Sequence, residues 1–244
     1  MSKGAILSQP IVARGLSLYY DFANYKCYTE ESSDINDLTD YDNDTEIGSP
    51  TPTFTKKPGY AYFTFGSTSV IKGTLPYSFD PDNNITISFW LKGNNTTQPQ
   101  HLVQFQTSAY GVDATGFVVN LDRGNSNQLN FSLTNSGGSI ISNYLLGVPH
   151  TSICNNKWNN VVLSINNKSI TPYLNAISYT PVSYAPNSVS GTCKFMILGG
   201  NGESGVPYPF YGDMANFSAH GRALSSTEIL QNYNALKNKF TEVI

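Results

Sequence analysis

Apolar and polar residues alternate with period two along most of the chain, the mark of strands with one buried face. Leu16, Leu18 and Tyr20 share a face of Gly15–Phe22. Tyr60–Phe65 repeats the pattern. Over 85–92, Ile85, Ile87, Phe89 and Leu91 lie opposite Thr86, Ser88, Trp90 and Lys92. Further strands are predicted at His101–Phe105, Gly116–Leu121, Gln128–Leu133, Trp158–Ile165, Ser169–Ile177 and Lys194–Leu198, divided by turns rich in Gly, Asn and Pro. No helical period precedes residue 225. There the strand pattern of Phe210 onward stops at a capping box, Ser225 with Glu228. Ile229, Leu230, Tyr233, Leu236 and Phe240 follow at helical spacing, predicting a helix over 225–240 with one stripe docked on the preceding body. Many short strands with so little helix mean a sandwich or a barrel.

Three stretches break the pattern. Residues 1–14 read as an arm. Glu30 to Glu46 holds eight carboxylates among Ser, Thr and Asn and runs into Gly48-Ser-Pro-Thr-Pro52, so the span is expected to lie outside any core. At Asn175-Ala176 a tight hairpin would need positive φ at both central positions; Ala tolerates that poorly, which predicts a wider loop.

The 244 residues suit one large all-β domain. Charged residues make up 13% and the net charge is −3, with no basic stripe able to neutralise phosphates, which argues against a nucleic-acid partner. No apolar run approaches membrane-spanning length, and Met1–Pro10 lacks a secretory signature, so a protein made in the cytosol is expected. Cys27, Cys154 and Cys193 are odd in number and far apart, which favours reduced structural thiols.

Gly212–Asn234, with Arg222-Ala-Leu-Ser225 and Asn232-Tyr-Asn-Ala-Leu236 intact, resembles the closing segment of the concanavalin A-like lectin/glucanase superfamily, laminin G-like, in the branch found in bacteriophage virion proteins. Gly15–Asp21, Ile85–Lys92, Trp158–Asn166, Pro172–Ala176 and Phe210–Ser225 resemble its successive signature strands. The resemblance implies an antiparallel two-sheet jelly-roll sandwich over 15–224, with a short C-terminal α-helix and tail over 225–244. It also implies a structural calcium at the sandwich rim, yet Ala215 stands where relatives often place an acid.

Glucanase relatives carry E-x-D-x-x-E or a close variant on one strand, and no such motif occurs here, so catalysis is not expected. No G-x-S-x-G, H-E-x-x-H or P-loop is present, and His101, His150 and His220 stand apart from one another. Asp40, Asp42, Asp44 and Glu46 offer hard oxygen donors at alternate positions, a candidate calcium set opposed by the plainer reading of a solvated acidic loop. Sugar recognition calls for aromatic faces beside amides and carboxylates. Trp90 and Trp158 fall on the more polar faces of their strands and could line a concave surface; their size favours a second, smaller core instead. Tyr110, Asp113, Asn120, Asp122 and Arg123 are candidates for a rim site.

The resemblance and the missing carboxylate motif together lead to a non-enzymatic virion structural protein on the particle exterior, a capsid decoration or head-surface protein. Its arm and C-terminal helix would contact other virion proteins or further copies of itself, and its sandwich could bind surface glycans. A tail or fibre adhesin for host carbohydrate is the alternative, and a polysaccharide hydrolase the weakest.

Overall fold

In the computed structural model, residues 10–48, 51–66, 69–80, 82–94, 98–107, 116–122, 126–134, 140–185, 192–200 and 208–240 are described. The chain begins with β1 (Leu16–Asp21), β2 (Asp34–Ile35), β3 (Thr45–Ile47), β4 (Thr53–Lys57), β5 (Tyr60–Phe65) and β6 (Ile71–Phe79). It continues through β7 (Ile85–Gly93), β8 (Gln100–Gln106), β9 (Gly116–Leu121), β10 (Gln128–Thr134), β11 (Ile140–Pro149) and the single turn α1 (His150–Ile153). The last elements are β12 (Asn159–Asn166), β13 (Ser169–Leu174), β14 (Ile177–Ser178), β15 (Val182–Ser183), β16 (Cys193–Leu198), β17 (Gly212–His220) and α2 (Ser226–Phe240).

Two antiparallel sheets form the expected sandwich. One runs β14-β13-β12-β7-β17-β5-β4, with β1 also on β17 and β15 on β13; the other runs β11-β10-β9-β8-β16-β6-β3-β2. Between them the inward positions make one apolar core, in which Phe63, Phe89, Phe105, Phe117, Phe131 and Phe217 are fully buried. Phe105 stacks on Phe117 at 4.8 Å, and Phe89 meets Phe217 at 5.2 Å. Strand β17 organises the first sheet. Its start pairs with β5 through Met214↔Phe63 and its end with β1 through Ala219↔Leu18, while β7 covers its other edge.

Several expectations need correction. The acidic span is not wholly outside: Ile35 is 0% exposed within the core, and β2 and β3 extend the second sheet beyond β6. The hairpin after β13 is tight. Leu174 pairs with Ile177, and both Asn175 (φ 53°) and Ala176 (φ 64°) take the left-handed region. Asn175 secures it through a 2.8 Å bond from the Asn160 amide to its Oδ1 and a 3.0 Å bond from its Nδ2 to Asn159. Strands β4, β6 and β11 and the turn α1 carry too weak a period to be read in advance. In β6, Gly73 and Pro76 interrupt the pattern. Gly73 is there because Thr45 crosses it, so a Cβ would sit 2.0 Å from Thr45 Cγ2.

The capping box at the helix start is present: Glu228 Oε2 accepts from the Ser225 amide at 2.9 Å, and Ser225 Oγ accepts the Glu228 amide at 3.4 Å. The docked stripe is narrower than expected. Ile229, Leu236 and Phe240 are buried, but Leu230 is 47% exposed, because it falls about 100° round the helix from Ile229. All three cysteines are buried free thiols, and burial pushes each up to about 12, leaving them inert.

Candidate binding surfaces

The outer face of the first sheet, where Trp90 and Trp158 were candidates for an open platform, is closed. Trp90 is 3% exposed, with one ring face on Phe240 (centroids 4.5 Å apart) and a stacked contact to Tyr233 at 5.6 Å. Trp158 meets Phe240 at 5.2 Å and Tyr62 at 5.6 Å. The two tryptophans therefore fill a second core under α2, with Ala215 and Leu236, and do not line a sugar platform. Polar side chains of the sheet pin the segment leading into the helix. Thr86 Oγ1 donates to the Arg222 carbonyl (2.9 Å) and accepts the Leu224 amide (2.8 Å), and Ser164 Oγ donates to the Leu224 carbonyl (3.0 Å).

Residues 10–14 of the N-terminal arm are strapped along the same helix. The Val12 amide donates to Asn232 Oδ1 (2.7 Å), Gln231 Nε2 to the Pro10 carbonyl (2.8 Å) and Arg222 Nε to the Arg14 carbonyl (2.9 Å). His220 Nε2 lies 3.0 Å from the Val12 carbonyl. Arg222 also binds Glu228 through both guanidinium ends, at 2.6 and 3.0 Å, which holds the Glu228 carboxyl down at about 2.

The acidic loop does not assemble the proposed calcium set. Asp40, Asp42, Asp44 and Glu46 are exposed, and among the described residues no group of three or more acids, histidines or cysteines could hold a metal. Glu46 instead stands opposite Lys72 in the ladder, and Asp44 accepts the Asp37 amide at 2.7 Å. The acid that orders this loop is Asp37. Its carboxylate takes the amides of Tyr19, Thr39 and Asn43, the Thr39 hydroxyl and the Asn43 side chain, all within 3.2 Å. Five donors leave little of that carboxylate for an ion.

The outer face of the second sheet is unusual in being both polar and buried. Register places Gln104, Val118 and Ser132 in one row across β8, β9 and β10, and Gln106, Gly116 and Thr134 in the next. Asn120 and Asn130 face each other a step further along. Each of these polar residues is at most 5% exposed. Some bonds are internal: Asn120 Nδ2 donates to Ser132 Oγ (2.8 Å), which donates to Asn143 Oδ1 (2.7 Å), and Ser126 Oγ donates to Asn130 Oδ1 (2.8 Å). Others stay open. Gln104 Oε1, Gln106 Oε1, Asn120 Oδ1 and Asn130 Nδ2 have no hydrogen-bond partner among the described residues. Buried polar atoms without partners cost roughly 1–3 kcal/mol each, so four on one face require an explanation.

Of the rim candidates, Asn120 thus belongs to this strand layer, not to a loop. Asp122, which follows β9, is buried, takes the left-handed region (φ 56°) and accepts the Asn127 amide at 2.7 Å. Tyr110, Asp113 and Arg123 lie outside the described residues.

The family model of the concanavalin A-like lectin/glucanases superfamily, laminin G type, matches residues 59–230. The chain belongs to this superfamily. No curated protein matches the sequence significantly. Among solved structures, the receptor-binding domain of botulinum neurotoxin D superposes with a TM-score of 0.63 at 15% identity, covering 90% of this chain and 52% of that one. The binding domain of Paraclostridial Mosquitocidal Protein 1 gives 0.63 at 16%, covering 92% and 53%, and Trypanosoma rangeli sialidase with sialic acid 0.62 at 13%, covering 98% and 37%. The chain spans about half the length of the toxin domains and about a third of the sialidase. At these identities the likeness is one of fold.

In this concanavalin A-like sandwich, the position lost to Ala215 now has a physical reason. Ala215 is buried in the second core against Leu236 and Phe240, where a carboxylate would be stripped of water. The neighbouring acid, Asp213, has its carboxyl held above the usual range by burial, while a 2.7 Å bond from Thr64 and the charge of Lys92 pull the other way. Sequence reading missed Gln104, Gln106 and Asn130. A signal was available: amides and hydroxyls alternate with Leu, Val and Phe over 103–106 and 128–134.

Proposed function

We propose that the chain is a non-catalytic, saccharide-binding sandwich carried on the exterior of a virus particle as a capsid decoration or head-surface protein. The observation that carries the binding function is the amide layer of β8, β9 and β10, whose four unpartnered hydrogen-bonding atoms are closed to solvent in this structure, so a saccharide reaches them only when what covers this face moves aside. Sugar hydroxyls both donate and accept, and so complement carbonyl and NH₂ ends alike. Amides and hydroxyls bind without exchanging protons at neutral pH, which fits recognition better than hydrolysis, where two carboxylates must flank the bond. A glycan array probed with the whole chain tests this; failure to retain any saccharide would overturn it.

The virion setting is supported by the likeness of Arg222–Ser225 and Asn232–Leu236 to closing segments of phage virion proteins. Partners there would be other virion proteins. A tail or fibre adhesin is the second reading, favoured by the receptor-binding toxin domains among its structural neighbours. Quantitative mass spectrometry of purified particles separates them: a decoration protein occurs at a copy number comparable with the capsid protein, an adhesin at that of tail proteins.

A further inference from the structure

We propose a second site for an acidic saccharide, bearing carboxylate or sulfate, in a basic cleft where the β4–β5 hairpin, the end of β1 and the last turn of α2 meet. The cleft is about 330 Å³, within the size range of small-molecule pockets. Asp21, Asn24, Lys56, Lys57, Tyr60 and Lys239 line it. Lys239 Nζ is neutralised by Asp21 at 2.8 Å. Lys56 and Lys57 are exposed and form no ion pair among the described residues. Three lysines against one aspartate give the cleft a charge of +2 in a chain of net −3. Like charges gathered in one concavity repel, and an anion seated between them relieves that repulsion.

Geometry adds selectivity for a sugar over a bare anion. Tyr60 is fixed by edge contacts to Trp158 (5.9 Å) and Phe240 (5.8 Å), so its place on the cleft wall is rigid. A second hollow of about 240 Å³ shares Ala23 and Lys56 with the cleft and carries Tyr25, which is 75% exposed, together with Glu30 and Glu31, whose charge keeps an acid group on the Lys56 and Lys57 side. An exposed aromatic beside an unpaired lysine can stack on a pyranose ring while the lysine holds its acid group. The amide layer plays no part in this argument, so either site can fail alone.

Isothermal titration of the whole chain tests it with 3′-sialyllactose, a heparin hexasaccharide, lactose and inorganic sulfate, each at 50 and 300 mM NaCl. At least one acidic saccharide is expected to bind at least tenfold tighter than lactose and sulfate, and to weaken with salt. Whichever acid binds better names the anionic group. The double substitution K56Q/K57Q should weaken binding at least tenfold, and Tyr25→Ala severalfold. K168Q/K194Q, the same charge change at the far end of β12 and on the other sheet, should leave it unaltered. The proposal is overturned by absence of acidic-saccharide binding at millimolar concentration, by equal affinity for inorganic sulfate, or by K56Q/K57Q binding like wild type.

Discussion

The indole of Trp90 lies on the ring of Phe240, 4.5 Å between centroids and 25° from parallel, so the helix end seals the face a sugar would have needed. Phe240 also meets Trp158 and Tyr60, tying both tryptophans to one residue. Phe240→Ala should destabilise the protein by about 3 kcal/mol. Chemical unfolding measures the loss, and a red shift of tryptophan emission in the native state should accompany it. Unchanged emission would mean that the ring contacts are not those described.

Arg222 joins the arm, the capping box and the end of β17. Arg222→Ala should cost about 1 kcal/mol after allowing for solvent screening of a quarter-exposed pair. A double-mutant cycle with Glu228→Ala should show coupling well above zero. Additive effects would reduce the bidentate contact to a bystander.

Acid should weaken the latch in two stages. Burial lowers the pKa of His220 below its ordinary 6.5, so the unfolded chain binds that proton first; the stability His220 contributes is complete above 6.5 and declines below it. Glu228, held at about 2 chiefly by Arg222, contributes stability that is complete above the ordinary 4.5 and is lost as pH falls towards 2. Melting temperatures from pH 7 to 2 should fall in both windows, with Glu228→Gln flattening the lower and His220→Gln the upper.

Lys168 sits in the two-residue turn between β12 and β13 at φ 63°, following Asn167 at 47°. Lys168→Gly should stabilise by about 0.5–1 kcal/mol, the left-handed penalty of an L-residue less the entropy of glycine. Ala176→Gly should gain less, because its methyl packs against the small cluster of Val162, Tyr173, Leu224 and Ile229. Denaturant midpoints at constant m-value decide it.

Gln104→Leu separates binding from stability. Removing a buried amide whose carbonyl is unpartnered among the described residues should leave stability unchanged or raise it by about 1 kcal/mol. Glycan retention on the array should fall at least tenfold. A destabilised variant that still binds sugar would show the amide to be structural.

Strand periods were legible where one face is purely apolar. Tyr60–Phe65 and Gly116–Leu121 form strands with the bounds read in advance. They failed where a neighbour dictates the residue, as Thr45 dictates Gly73, or where a single apolar anchor such as Ile35 draws an acidic stretch into a sheet. Ala176 misled for a related reason: Asn175 holds the tight turn with side-chain bonds that propensity alone does not weigh. The second core was implicit in the polar-face tryptophans and the helix stripe, but which surface closed over which needed the packing. The amide layer could be seen as alternation, but not as buried. The basic cleft has no sequence motif, since its lysines come from a hairpin and a helix end far apart in the chain.

Strand β17 pairs with β1 at one end, Leu18 lying beside Ala219. On the ribosome, β1 must wait for some two hundred residues to be made, about 10–40 s at ordinary elongation rates. During that interval a strand edge and the apolar side chains of Leu18 and Tyr20 have no native neighbour in their own sheet. Contacts of such sequence separation also slow folding once synthesis ends. The expected consequence is aggregation during the wait, so lower temperature or a holdase chaperone should raise soluble yield more than a stabilising substitution in the finished sandwich.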